Sequence, residues 1–202
     1  MVMAFLRRLY QVGSRVLRRL FRQRIDSATL ELVEQLRAVP ELSRLSRGAL
    51  HAMAEASHRR SYRRGESLYY QGDPGLGLYL VESGRVRLLS DTEPGRPREL
   101  RELGANEMFG VLSLLGDYRR LETAETVTEA RVIGFFRPDL KNVMRRNPKA
   151  GGEIAMALAR RVAGEQVALL KRLEEAEGRA AALDLYTEAV EGTGVEETAP
   201  RA

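Results

Sequence analysis

The chain has 202 residues, enough for one well-packed domain with extensions and short for two. It contains no cysteine, which excludes disulfides and thiolate metal sites, and its two histidines, His51 and His58, are not spaced as a ligand pair. The net charge of +5 is local: residues 1–25 hold seven arginines and no acid, leaving the remainder near −2, which argues against a broad phosphate-gripping face.

Placed on a helix at about 100° per residue, residues 2–22 divide into two halves. Val2, Phe5, Leu6, Leu9, Tyr10, Val12, Val16, Leu17, Leu20 and Phe21 fill one, and Arg7, Arg8, Arg15, Arg18, Arg19 and Arg22 fill the other. An apolar face beside an arginine face suits peripheral contact with an anionic membrane surface. The same pattern suits docking on the chain's own domain or a protein partner, an organelle transit peptide, or a nucleic-acid arm. No apolar run reaches the roughly 7–15 residues of a secretory core or the ~20 that span a bilayer.

Asp26-Ser27 offers a cap for a helix over Ala28–Arg37, which Val39-Pro40 ends. Ser46 caps a second helix, Arg47–Ala56. From His58 to Phe136 the periodicity changes to short apolar or alternating runs punctuated by turns, the pattern of a sandwich or barrel. The predicted strands are Arg60–Tyr62, Ser67–Gln71, Gly77–Glu82, Arg85–Ser90, Arg98–Glu102, Glu107–Phe109, Glu122–Thr128 and Ala130–Phe136. Turn chemistry separates them at Gly72-Asp73-Pro74-Gly75, Ser83-Gly84 and Asp91–Pro97, with Gly72 and Gly84 expected at positive φ. Pro138–Arg146 is predicted helical. Asn147-Pro148 then starts a long helix reaching about Ala176 or Arg179, by a cap followed by proline at the first position. A short helix over Ala180–Val190 and an acidic, disordered 191–202 complete the expectation.

Several segments carry motifs: Tyr62-Arg63-Arg64-Gly65-Glu66, Gly72-Asp73, Tyr79-Leu80-Val81-Glu82-Ser83-Gly84-Arg85-Val86 and Gly104–Gly110. The most specific is Phe109-Gly110-Val111-Leu112-Ser113-Leu114-Leu115 followed by Tyr118-Arg119-Arg120. Together they resemble the cyclic nucleotide-binding domain family, over about residues 37–172. The resemblance implies a mainly β fold with flanking helices: a double-stranded β-helix (jelly-roll) barrel, here with an N-terminal amphipathic helix and a long C-terminal helix. The expected divisions are 1–25 basic helix, 26–57 helical lead-in, 58–136 barrel, 137–179 C-terminal helices and 180–202 short helix and tail.

The resemblance also implies a site. Phe109, Gly110, Val111, Leu112 and Ser113 stand where the family holds a cyclic phosphate and ribose at the start of a one-turn helix, whose N–H groups favour an anion. Leu112–Leu115 would supply donors and the buried face of that turn. Arg120 stands for the phosphate-binding arginine, with Arg119 as the alternate register. Three positions depart from the pattern, one of them Leu121, which stands where a small residue is usual. Val111 replaces a glutamate that would bond the ribose 2′-hydroxyl, costing ~1.5–3 kcal/mol. Glu122 stands where a small residue is usual, either facing the pocket and repelling phosphate or turned outward to pair with Arg119 or Arg120.

These features imply a non-enzymatic regulatory or sensor domain with a degenerate pocket, binding cyclic AMP or cyclic GMP weakly or a different small anion. The alternative is a membrane-peripheral scaffold or protein-interaction adaptor that binds no nucleotide. No catalytic residues, metal ligands or cofactors are expected, and the setting expected is cytoplasmic, with peripheral membrane contact through residues 1–25. Ile154, Leu158, Val162, Leu169, Leu170 and Leu173 form a stripe on the long helix that suits a homodimer or packing on the chain's own barrel. With about 30 residues after that helix and no second helix pair, DNA recognition is not expected.

Overall fold

The structure, a computed structural model, describes residues 27–90 and 97–192. The expected basic helix with Arg7, Arg8, Arg15, Arg18, Arg19 and Arg22, the turn at 91–96 and the tail beyond 192 lie outside the described residues. A helix over 27–38 (α1) leads to α2 (Arg47–Glu55). Ser46 caps α2 as expected, its side chain accepting from the Ala49 N–H.

Eight strands follow: β1 (His58–Tyr62), β2 (Ser67–Tyr69), β3 (Gly77–Ser83), β4 (Val86–Ser90), β5 (Arg98–Leu103), β6 (Met108–Phe109), β7 (Thr123–Thr126) and β8 (Ala130–Phe136). They form two antiparallel four-stranded sheets, ordered β1-β8-β3-β6 and β2-β7-β4-β5, packed face to face in a jelly-roll sandwich. No ladder joins the two sheets among the described residues, so the expected barrel is an open sandwich in its hydrogen bonding.

Alternation along β3 and β8 explains the layering. Tyr79, Val81 and Val132 point into the space between the sheets, with Tyr69, Val86, Leu103, Phe109 and Ala124. Their neighbours Leu78, Leu80, Ile133 and Phe135 point the other way, into a second core with α1, α2 and the C-terminal helices. The first sheet is therefore covered on both faces, which is why β3 reads as a nearly continuous apolar run. In contrast, β5 is an exposed strand on the sheet edge, and its alternating Arg and Glu residues protect that edge.

Strand ends differ from expectation by one to two residues, for local reasons. β1 starts at His58 because His58 still pairs with Gly134. β2 stops at Tyr69: the next N–H groups turn to side chains, Tyr70 donating to Asp73 and Gln71 to Thr123. Gly72 and Gly84 have φ of 85° and 82°, as their turns require.

Beyond the sheets come α4 (Arg137–Arg146), α5 (Pro148–Glu177) and α6 (Arg179–Gly192). Asn147 caps α5 by accepting from Ala150, and Pro148 follows at the first turn. Of the predicted stripe on α5, Ile154 and Leu158 are fully buried and Val162 packs against the same core. Leu169 is 67% exposed, so the stripe leaves the domain surface past Val162. α6 packs back on the end of α5 after a break at Gly178.

Candidate functional site

β6 delivers the chain to Gly110, whose φ of 69° turns it into the single-turn helix α3 (Leu112–Leu115). The loop after α3 returns along the turn 72–75: Gly75 donates to the Tyr118 carbonyl, Gly72 to that of Arg120, and Arg120 to that of Asp73. These bonds fix Arg119 and Arg120 beside Gly110. A cavity of about 180 Å³ results, walled by all seven predicted site residues: Phe109, Gly110, Val111, Leu112, Ser113, Arg119 and Arg120.

Of the stretch Leu112–Leu115 expected to supply a buried face, two residues do so. Leu112 and Leu115 are 37% and 41% exposed, whereas Ser113 and Leu114 are buried, and Val111 joins Leu114 in the helix-side core. Val111 therefore anchors the turn from below. Ser113 is pinned by a close approach, since a Cβ on Gly75 would lie 2.0 Å from its hydroxyl. Its carbonyl also accepts from Arg137, which pairs with Asp117 across the loop.

The two arginines differ sharply. Arg119 is exposed and donates to the Gly72 carbonyl at 2.7 Å. Arg120 is only 4% exposed. Its Nη2 donates to the Gly77 carbonyl at 2.8 Å and its Nη1 weakly to that of Gly110 at 3.4 Å. The guanidinium lies 4.0 Å from the Tyr69 ring centroid and 5.5 Å from that of Tyr79, a cation–π stack in a dry setting. Tyr79 in turn stacks on Phe109 with centroids 5.5 Å apart. The Arg120 Nε is buried without a hydrogen-bond partner. A buried cation with an unused donor costs free energy until an acceptor arrives.

Glu122 also lines the cavity, the first of the two orientations expected for it, and the pair expected of the second, with Arg119 or Arg120, is not formed. Its carboxylate accepts from the Tyr69 hydroxyl at 2.8 Å, and no ion pair joins it to Arg119 or Arg120. Burial pushes the Tyr69 phenol well above its ordinary value, and the neighbouring carboxylate adds to the shift. The tyrosine thus stays a neutral donor. Burial likewise raises Tyr79.

Sequence patterns missed the far wall, formed by Leu88, Arg101, Leu103, Arg161 and Glu165. Arg161 and Glu165 are one turn apart on α5 and pair at 2.9 Å, a spacing legible in sequence. That they face this cavity depends on how α5 packs. Arg161 also pairs with Glu41 and donates to the Met108 carbonyl at 3.4 Å. Arg101 pairs with Glu107. The cavity wall thus carries four arginines, Arg101, Arg119, Arg120 and Arg161, and two glutamates, Glu122 and Glu165. Among the described residues no cluster of His, Cys, Asp or Glu could hold a metal, and no helix is long and apolar enough to cross a membrane.

Residues 59–147 match the family model described as "Cyclic nucleotide-binding domain". Over 124 residues the chain is 40% identical to the "Cyclic AMP receptor protein" of Thermus thermophilus, covering 61% of this chain and 57% of that one. It is 30% identical over 114 residues to the "CRP-like cAMP-activated global transcriptional regulator" of Mycobacterium tuberculosis, covering 56% and 51%. The chain spans about half the length of these curated relatives. Among solved structures, the N-terminal domain of a transcriptional regulator from Streptomyces coelicolor superposes with a TM-score of 0.59 at 28% identity. That match covers 65% of this chain and 94% of the other. Motifs, two-sheet fold and relatives agree over residues 59–147, the segment that matches the cyclic nucleotide-binding domain model.

Proposed function

We propose that this chain is a non-enzymatic sensor in which a cyclic mononucleotide places its phosphate against Gly110–Ser113, where Arg120 meets it. The observation that carries this is Arg120 itself: buried, stacked on Tyr69, with Nη1 beside Gly110 and an unpartnered Nε. The planar fork of arginine suits two phosphate oxygens at once. The names of the Thermus and Mycobacterium relatives, both referring to cyclic AMP, favour a cyclic nucleotide over an unrelated anion.

Binding is expected to be weak for the family. Val111 offers no acceptor to a ribose hydroxyl, an absence worth roughly ten- to hundredfold in affinity. The cavity of about 180 Å³ is also smaller than the roughly 300–1,000 Å³ of most small-molecule sites, so the ligand must widen it. Calorimetric titration with cyclic AMP and cyclic GMP tests the proposal. Saturable heat with either nucleotide, lost in Arg120→Ala, supports it; no heat at millimolar ligand overturns it.

A further inference from the structure

Arg120 and Glu122 are opposite charges two positions apart on the wall of one small cavity, yet they do not pair. An arginine that must receive a phosphate is poorly served by a carboxylate within reach, because the carboxylate competes for the same fork. Something must hold Glu122 away. The Tyr69 hydroxyl donates to its Oε1 at 2.8 Å, while the ring of the same tyrosine lies against the Arg120 guanidinium at 4.0 Å.

Tyr69 is well placed to do both. It sits at the end of β2, 7% exposed, with its ring fixed among Tyr79 and Phe109 at centroid distances of 5.9 and 6.1 Å. The register Tyr69↔Ala124 leaves room over β7 for the guanidinium, because the facing residue is small. Ring and hydroxyl thus touch the two charges from one rigid side chain with two torsions.

We infer that Tyr69 is a positioning residue for nucleotide binding: its ring orients Arg120 towards the phosphate, and its hydroxyl keeps Glu122 from capturing that arginine. The inference rests on the site proposed above. With the hydroxyl gone, Glu122 loses its partner in a half-buried place, and Arg120 becomes its nearest compensation. The guanidinium would then leave Gly110 for the carboxylate, and the phosphate would have to break that pair.

The test uses calorimetry on the full chain with cyclic AMP and cyclic GMP, comparing wild type, Tyr69→Phe, Glu122→Gln and the double variant. Tyr69→Phe should bind about tenfold more weakly, and Glu122→Gln at least as tightly as wild type. Tyr69→Phe combined with Glu122→Gln should recover the affinity of Glu122→Gln, which a merely structural tyrosine would not allow. Wild-type affinity in Tyr69→Phe, or a loss that persists in the double variant, overturns the inference and leaves the binding site standing. A tenfold loss in Glu122→Gln alone does the same. A wild type that binds neither nucleotide overturns the site and this role together.

Discussion

The Arg161 guanidinium on α5 pairs with Glu41 in the turn between α1 and α2, while its second nitrogen reaches Glu165 and the Met108 carbonyl. One side chain thus ties the helical lead-in, the long helix and the strand that enters α3. Its Nε is buried without a partner, like that of Arg120.

Arg161→Ala is therefore expected to loosen α5 without unfolding the sandwich. The pair with Glu41 is partly shielded, with side-chain exposures of 14% and 28%, so a coupling of about 1 kcal/mol is expected. A double-mutant cycle with Glu41→Gln, read by urea midpoints, measures it. Hydrogen exchange should accelerate along α5 before it changes in β3 and β8.

Gly110 and Gly72 share a positive φ but should respond differently to alanine. At Gly72 nothing lies within 4 Å of an added Cβ, so the cost is backbone strain of about 1 kcal/mol. At Gly110 the new carbon would lie 2.2 Å from Arg120 Nη1 and 3.3 Å from the Gly77 carbonyl oxygen. Gly110→Ala must displace the arginine, so it should lose nucleotide binding as well as stability. Thermal unfolding and titration of both variants separate the two effects.

Arg120→Lys keeps a positive charge but gives up the fork and much of the stack on Tyr69. A roughly tenfold or greater weakening of nucleotide binding is expected. If lysine binds as well as arginine, point charge alone is what the phosphate reads.

Acid should weaken the turn before β6. The Gly104 N–H donates to Glu107 at 2.7 Å and holds its carboxyl below the ordinary glutamate range, opposed by partial burial and assisted by Arg101. A lowered folded pKa means stability that is present above the unfolded value and is lost as pH falls through the folded one. Glu107→Gln should thus be less stable than wild type at neutral pH. The gap should close as pH falls below the ordinary glutamate range, which thermal midpoints across that range would show.

Local chemistry made much of this legible in sequence. Ser46 and Asn147 cap because the bonds they make lie within one turn, and Gly72 and Gly84 sit at the positive φ that their turns require. The seven candidate residues could be named together because they are nearly contiguous in the chain, and all of them line the one cavity. What stayed hidden was set by distant partners. Glu122 stood out as a departure, but its partner Tyr69 lies 53 positions away and reads locally as one more strand residue. Arg101, Arg161 and Glu165 join the wall only through the packing of β5 and α5. Which side of α3 is exposed was not legible either: a single turn has too few residues for periodicity to reveal which face the core takes.

The approach of Gly151 to Met144 carries a mechanical consequence. A Cβ on Gly151 would lie 2.7 Å from the Met144 Cα, so α4 and the start of α5 interlock backbone against side chain and cannot slide past one another. At ~1.5 Å per residue, α5 from Gly151 to Glu177 is roughly 39 Å long. A tilt of about 10° at its base would therefore carry its far end through roughly 7 Å. A tilt of this kind would make α5 a lever arm with its fulcrum at a glycine outside the candidate cavity.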